Sequence, residues 1–261
     1  MTPPPNETAG APPAPEPPRR PAVVVTVPTF NESGNIGLLL DGLLALGPGF
    51  QVVVIDDDSP DGTWKIVADR AARDPRVHLL HRRADKGRGR SGRDGFVKAL
   101  ELGAPVVIEM DADLSHQPKY IPDMIRRLNG GPSAVGLVLG SRATQGGKDA
   151  DRGVARRGIT KLANLYIRVV LGVPVRDCNS GFRAWRRETL ETIRVGETFS
   201  AGPAIVQELL FKTARARIGI AEVPIEFQNR QHGESTLTIG KLLTGYVTVL
   251  KLRWMSLVGR I

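Results

Sequence analysis

Two short apolar runs that each end in a cluster of carboxylates constrain this chain most. Residues 51–55 lead into Asp56-Asp57-Asp58, and residues 106–110 lead into Asp111-Ala112-Asp113. A run of about five aliphatic residues reads as a strand buried on both faces, as in a parallel sheet. Acidic groups directly at its end belong in the loop outside the strand's carboxyl end, which is where open α/β sheets carry ligands. A third run, residues 22–27, meets Pro28-Thr29-Phe30-Asn31-Glu32, and residues 77–81 and 135–140 supply two more. Helical stretches are expected over 33–46 and 64–72, and again after a basic, glycine-rich loop at 82–92 as far as Leu102. Strand alternating with helix argues for an α/β fold with an open, mostly parallel, doubly wound sheet.

At 261 residues the chain suffices for one large α/β domain. Residues 1–21 are rich in Pro, Ala, Glu and Arg without apolar periodicity and read as a disordered tail. The folded body is expected over 22–236, followed by a separate helix over 237–261. The formal charge of +9 favours nucleic acid, an anionic membrane surface or phosphorylated substrates as partners. The single cysteine, Cys178, excludes an internal disulfide and reads as a small buried thiol. The start of the chain has no charged residues followed by an apolar run, so no secretory leader is expected. No apolar stretch reaches the roughly 18 to 20 residues that cross a bilayer, so membrane contact should be peripheral.

Asp111 and Asp113 occupy alternate positions at a strand end, so both carboxylates can face one cleft and share a hard cation with phosphate oxygens. In the run 56–58, Asp58 or Ser59 could cap the following helix, while another carboxylate accepts hydrogen bonds from a nucleotide. The four histidines, His78, His81, His116 and His232, lack metal-ligand spacing and read as structural or loop residues.

The set Pro28-Thr29-Phe30-Asn31-Glu32, Asp57-Asp58-Ser59-Pro60-Asp61-Gly62-Thr63, Asp111-Ala112-Asp113-Leu114-Ser115-His116, Gly140-Ser141-Arg142 and Ser180-Gly181-Phe182-Arg183-Ala184 resembles the dolichol-phosphate (polyprenol-phosphate) mannose synthase group of family 2 glycosyltransferases. The resemblance runs over about residues 22 to 253. It implies a Rossmann-like GT-A fold and inverting transfer of mannose from GDP-mannose to a polyprenyl (dolichyl) phosphate, with Mg2+ or Mn2+. Pro28, Phe30, Glu32 and Asp57 would hold base and ribose, and Asp111 and Asp113 the ribose, metal and diphosphate. Ser115 stands where some relatives carry a metal-touching Gln. Asp113, Arg142 and Arg230 are the catalytic candidates. Arg142, Arg156, Arg157 and Thr160 would face the acceptor phosphate, and Asp177 and Glu208 could orient sugar or acceptor. Thr236 stands where relatives usually have Lys, with Lys241 as a substitute cation. A UDP-glucose or UDP-N-acetylhexosamine transferase of the same fold, or a catalytically silent membrane-associated subunit, are the alternatives.

Arg156, Thr160 and Asn164 recur at helical spacing, forming a polar stripe opposite Leu162, Tyr166 and Val169. Over 237–261, Lys241, Thr244, Thr248 and Lys251 make a narrow polar stripe on an otherwise apolar helix carrying Trp254. That pattern suits a helix lying in a bilayer interface, here the cytoplasmic face of the cell membrane, or docking on a membrane-spanning partner. The basic loop 82–93 has little aromatic interleaving for base stacking, so nucleic acid is not expected as a partner.

Overall fold

The computed structural model describes residues 21–130, 135–149, 154–228 and 239–259. The tail reading for 1–20 lies outside these residues.

Strands β1 (Val23–Thr29), β2 (Phe50–Asp56), β3 (Val77–His81), β4 (Val106–Glu109), β5 (Leu137–Ser141), β7 (Arg183–Arg186) and β8 (Ile220–Pro224) form one sheet in the order β3-β2-β1-β4-β7-β5-β8. A two-residue pair, β6 (Lys148–Asp149) with β9 (Glu226–Phe227), lies apart from it. The helices are α1 (Ile36–Leu44), α2 (Thr63–Ala71), α3 (Arg88–Glu101), α4 (Ile121–Asn129), α5 (Val154–Leu171), α6 (Arg187–Thr192), α7 (Ile205–Arg215) and α8 (Ile239–Leu257). In α5 and α8 the side chains are described from residues 158 and 245 onward.

Alternation along the strands divides the core in two. Val23, Val25, Val27, Val52 and Val54 face a cluster completed by Leu39 and Leu40 of α1 and Met124 and Leu128 of α4. Val24, Val53 and Ile55 face the opposite cluster, built from Phe96 of α3, Leu209 of α7, Ile167 of α5 and Val249 and Leu252 of α8. Burial on both faces is why β1 and β2 read as unbroken apolar runs.

The sheet is mostly parallel, as expected, but β7 runs antiparallel to both of its neighbours, β4 and β5. The reversal brings the turn before Arg183 to the end of the sheet where β4 and β5 finish. Pro28 sits inside the central strand β1, where a missing N–H would ordinarily cost a ladder bond. Thr26 O accepts from Met110 N–H, so Pro28, two residues on, would aim its N–H to the same side, past the last β4 pairing at Thr26↔Glu109. The proline therefore removes no pairing.

Two local readings are corrected. The glycine-rich segment is no open loop beyond Gly87, because α3 begins at Arg88 and contains Gly89, Gly92 and Gly95. A Cβ at Gly89 would stand 2.0 Å from Ser200 O, and one at Gly95 would stand 2.6 Å from Ile55 Cδ1. These glycines thus allow close helix packing, which outweighs their poor helix propensity of roughly 1 kcal/mol each. Nor does Asp58 or Ser59 cap α2: the N-cap is Gly62 at φ 82, in the left-handed region glycine tolerates.

Candidate active site

The carboxyl ends of β2, β1 and β4 lie side by side, which places the residues expected to hold a donor on one rim. Thr29 Oγ1 donates to the fully buried Asp56, which also accepts the Ser59 N–H at 2.8 Å and its hydroxyl at 2.7 Å. Asp56 therefore stitches the two loops together. Asn31 N–H donates to Ser59 Oγ at 3.0 Å, Glu32 N–H to Thr63 Oγ1 at 2.9 Å and Ser33 N–H to Asp61 Oδ2 at 3.0 Å. The loop after β1 is thereby fixed to the loop after β2. Phe30, at the tip, is left 48% exposed, as a ring available for stacking must be.

Asp57 is paired with Arg82 and accepts the Gly87 N–H at 2.7 Å. Asp58 takes His81 Nε2 at 2.8 Å and Lys86 Nζ at 3.1 Å, and those hydrogen bonds hold its carboxyl below the usual range. His81 stacks on Trp64 with ring centroids 4.5 Å apart.

Beyond β4, Leu114 adopts φ 61, and the turn lets Ser115 N–H donate to Asp113 Oδ1 at 3.1 Å, reinforced by the Ser115 hydroxyl. Ser115 thus buttresses Asp113, which is buried. Asp111 is more open, and Gly181 backs it. Among the described residues no group of three or more His, Cys, Asp or Glu is arranged to hold a metal by itself. Two carboxylates completed by phosphate oxygens is how Mg2+ is commonly held at a phosphorylated substrate, and the hard oxygen donors of Asp111 and Asp113 fit that role.

Three residues missed by the sequence reading stand here. Arg88 Nη2 lies 3.1 Å from Glu109 Oε1 and 3.2 Å from Asp111 Oδ1. Burial disfavours the charge on Arg88, but Asp111 and Glu109 outweigh it, and its pKa is raised. Glu109 is fully buried in β4. A carboxylate inside an apolar strand, two positions before Asp111 and on the same face, was the available signal. His116, read as structural, lies buried between Phe182, stacked at 5.2 Å, and Phe227, edge-on at 5.4 Å. Burial lowers its pKa, against the raising influence of Asp111 and Asp113, and its Nδ1 has no hydrogen-bond partner among the described residues.

Just past β5, Arg142 Nε pairs with Asp177 Oδ2 at 3.0 Å, and the guanidinium sits 4.9 Å from the Phe227 ring centroid. Asp177, fully buried, is thus used to hold Arg142. Ser180 Oγ donates to Gly140 O at 2.6 Å, tying the turn before β7 to the end of β5. Arg183 is buried and donates to Ser180 O, Val206 O and Cys178 O, which clamps that turn against α7. Glu208 does not line the cleft. It accepts the N–H groups of Phe199 and Ser200 and pairs with Lys212 at 2.9 Å, holding the segment that Gly89 packs against.

On α5 the polar stripe faces the body at Asn164 and the apolar residues opposite face out. Asn164 is buried and accepts from Cys178 N–H and Asn179 Nδ2, whereas Leu162 and Val169 are each 73% exposed. Thr160 is half-buried on the same helix. Arg156 and Arg157 lie in its first turn but their side chains, like that of Lys241, are outside the description; Arg230, His232 and Thr236 lie outside the described residues altogether. α8 docks on the body through Val249 and Leu252, and Tyr166 OH donates to Tyr246 O. Val247, Leu250, Trp254 and Leu257 remain exposed. No helix among the described residues is long and apolar enough to cross a membrane.

The family model for glycosyl transferase family 2 matches residues 24–194. The chain is 38% identical over 243 residues to the undecaprenyl-phosphate mannosyltransferase of Micrococcus luteus, covering 92% of this chain and 98% of that protein. It is 36% identical to the polyprenol monophosphomannose synthase of Mycolicibacterium smegmatis, over 82% of this chain and 80% of that one. Against the dolichol-phosphate mannosyltransferase of Pyrococcus furiosus the identity is 33%, over 92% of this chain and 66% of the relative. Among solved structures, glucosyl-3-phosphoglycerate synthase from Mycobacterium tuberculosis in complex with Mn2+, UDP and phosphoglyceric acid shares the fold at a TM-score of 0.67 and 19% identity, over 90% of this chain and 78% of that chain. With matching sheet-end motifs, a family match over residues 24–194 and a relative aligned over 98% of its length, this protein belongs to glycosyl transferase family 2 and is a glycosyltransferase.

Proposed function

We propose that the enzyme transfers mannose from GDP-mannose to the phosphate of a polyprenyl lipid with inversion at the anomeric carbon. The observation that carries this reading is the convergence, at one end of the sheet, of two differently charged halves. An acidic rim from Asp57 to Asp113 suits a nucleotide and its cation, and Arg142, fixed by Asp177 and Phe227, suits an acceptor phosphate. The names of the three relatives support both the mannose and the lipid phosphate.

In this reading an acceptor phosphate oxygen forms the new bond to the anomeric carbon as the bond to the GDP β-phosphate oxygen breaks, and GDP departs with the electron pair. A phosphate monoester has a second pKa near about 6, so it arrives largely dianionic and needs no strong base. Positioning and charge stabilisation then carry the rate. Phe30 stacks on the base while Asp57 and Glu32 bind base and ribose. Arg142 holds the attacking phosphate in line, with Thr160, Arg156 and Arg157 on the helix beside it and Arg230 as a further cation. Asp111 and Asp113 would hold Mg2+ or Mn2+, which supplies neutralisation of charge on the departing diphosphate. The exposed apolar residues of α5 and α8 support a peripheral position on a membrane surface, where the acceptor lipid resides.

A panel of GDP-mannose, UDP-glucose and UDP-N-acetylglucosamine, with and without Mn2+, tests the donor by thermal shift, since ligands of the native state raise Tm. GDP-mannose should give the largest Mn2+-dependent rise. A rise with UDP-sugars alone would reassign the donor.

A further inference from the structure

We propose that Arg88 is a resident cation of the donor site, paired with Asp111 until a nucleotide diphosphate arrives, so that a divalent ion binds well only together with that diphosphate. The inference rests on the reading of Asp111 and Asp113 as the metal-binding pair.

Arg88 is held by two carboxylates of unequal kind. Glu109 is fully buried, and leaving a buried charge without its counter-charge is costly, so this pairing is the anchor. Asp111 has 40% of its side chain exposed, so it can exchange partners with solvent-borne ions. The helix turn that carries Arg88 is itself immobilised. Gly87 N–H is bound by Asp57, Gly89 N–H donates to Ala201 O at 2.9 Å, and Gly89 packs against the backbone of residues 200–202. Gly92 leaves room for the guanidinium, since a Cβ there would stand 3.0 Å from Arg88 Nη1. That same Nη1 is buried and has no hydrogen-bond partner among the described residues. An unsatisfied buried donor on a charged group is unfavourable, and the Arg88 side chain keeps 24% of its surface exposed, through which an anionic oxygen can take a hydrogen bond from it.

The consequence is electrostatic. A guanidinium 3.2 Å from a ligand carboxylate occupies an oxygen the metal needs and repels the incoming ion. A diphosphate reverses both effects, because it accepts from Arg88 and brings negative charge of its own. Metal and nucleotide are then coupled through one side chain, and the coupling is reciprocal.

The test is calorimetry on the full chain: Mn2+ alone, GDP alone, and Mn2+ at saturating GDP, with UDP in parallel, for wild type, Arg88→Gln and Arg88→Lys. In wild type, GDP should tighten Mn2+ by at least about tenfold. In Arg88→Gln, Mn2+ alone should tighten about fivefold or more, GDP alone should weaken, and the coupling should shrink. Arg88→Lys, which keeps the charge, should restore most of the wild-type coupling. Equal Mn2+ affinity with and without GDP in wild type overturns the proposal, whether or not the variants fold. Unchanged coupling in a folded Arg88→Gln overturns it too. Wild type that binds neither GDP nor UDP with Mn2+ contradicts the donor-site reading itself, and binding of UDP alone reassigns the base while the Arg88 comparison is read with UDP.

Discussion

The backbone at Gly181 passes so close to Asp111 that a Cβ there would stand 3.1 Å from the carboxylate Oδ2. The turn leading into β7 therefore shapes the end of β4 where we propose that a metal binds. In Gly181→Ala the carboxylate must shift by a few tenths of an ångström, which a side chain 40% exposed can do with little loss of stability but not without moving the site. The variant should fold, with Tm little changed, while Mn2+-dependent nucleotide binding weakens about tenfold, the equivalent of about 1.4 kcal/mol. Calorimetry with Mn2+ and GDP checks this, and wild-type affinity would refute it.

Glycines elsewhere should behave differently according to what faces them. Gly89→Ala would drive a methyl to 2.0 Å from Ser200 O, so it should lower stability by roughly 2 kcal/mol or more. Gly37, on α1, has nothing within 4 Å of a Cβ, and Gly37→Ala should raise stability by up to about 1 kcal/mol. Urea unfolding midpoints of the two variants should move in opposite directions.

The strands and the acidic clusters were legible because burial on both faces leaves continuous apolar runs, and because carboxylates at strand ends fall where open α/β sheets carry ligands. What the sequence hid was contact between distant segments. Arg88 looked like one charge in a basic loop, and only the packing of Gly89 against residues 200–202 makes it the first residue of a helix facing Glu109 and Asp111. The antiparallel strand β7 is four residues long, too short to announce its direction. On α5, the polar Asn164 turned inward because it satisfies the backbone of Cys178, a demand that helical spacing alone does not express.

Cys178 is fully buried, and burial pushes its thiol up from 9.0 to about 12. Folding thus favours the protonated form. The contribution is constant below about 9 and is lost as pH rises toward 12, when the unfolded chain ionises first. At pH 8 the native enzyme should resist a disulfide-exchange reagent such as dithionitrobenzoate, and should react with one equivalent on unfolding. Rapid stoichiometric labelling of the native protein would contradict this.

The outward face of α8 offers a separate test of membrane contact. Val249 and Leu252 serve the core, whereas Leu250 and Trp254 are more than half exposed. Val247, too, is 65% exposed, and Val247→Ser with Leu250→Ser should leave Tm little changed, reduce co-sedimentation with anionic lipid vesicles severalfold, and spare transfer to a short, water-soluble polyprenyl phosphate. Vesicle binding equal to wild type would remove α8 from the membrane account.

Transfer itself is the direct test. Radiolabelled GDP-mannose, a short polyprenyl phosphate and Mn2+ should yield label in the organic phase with one GDP released per mannose transferred, and Asp113→Asn should lower the rate by at least about a hundredfold. Transfer from a UDP-sugar only, or an undiminished rate in folded Asp113→Asn, would contradict the account.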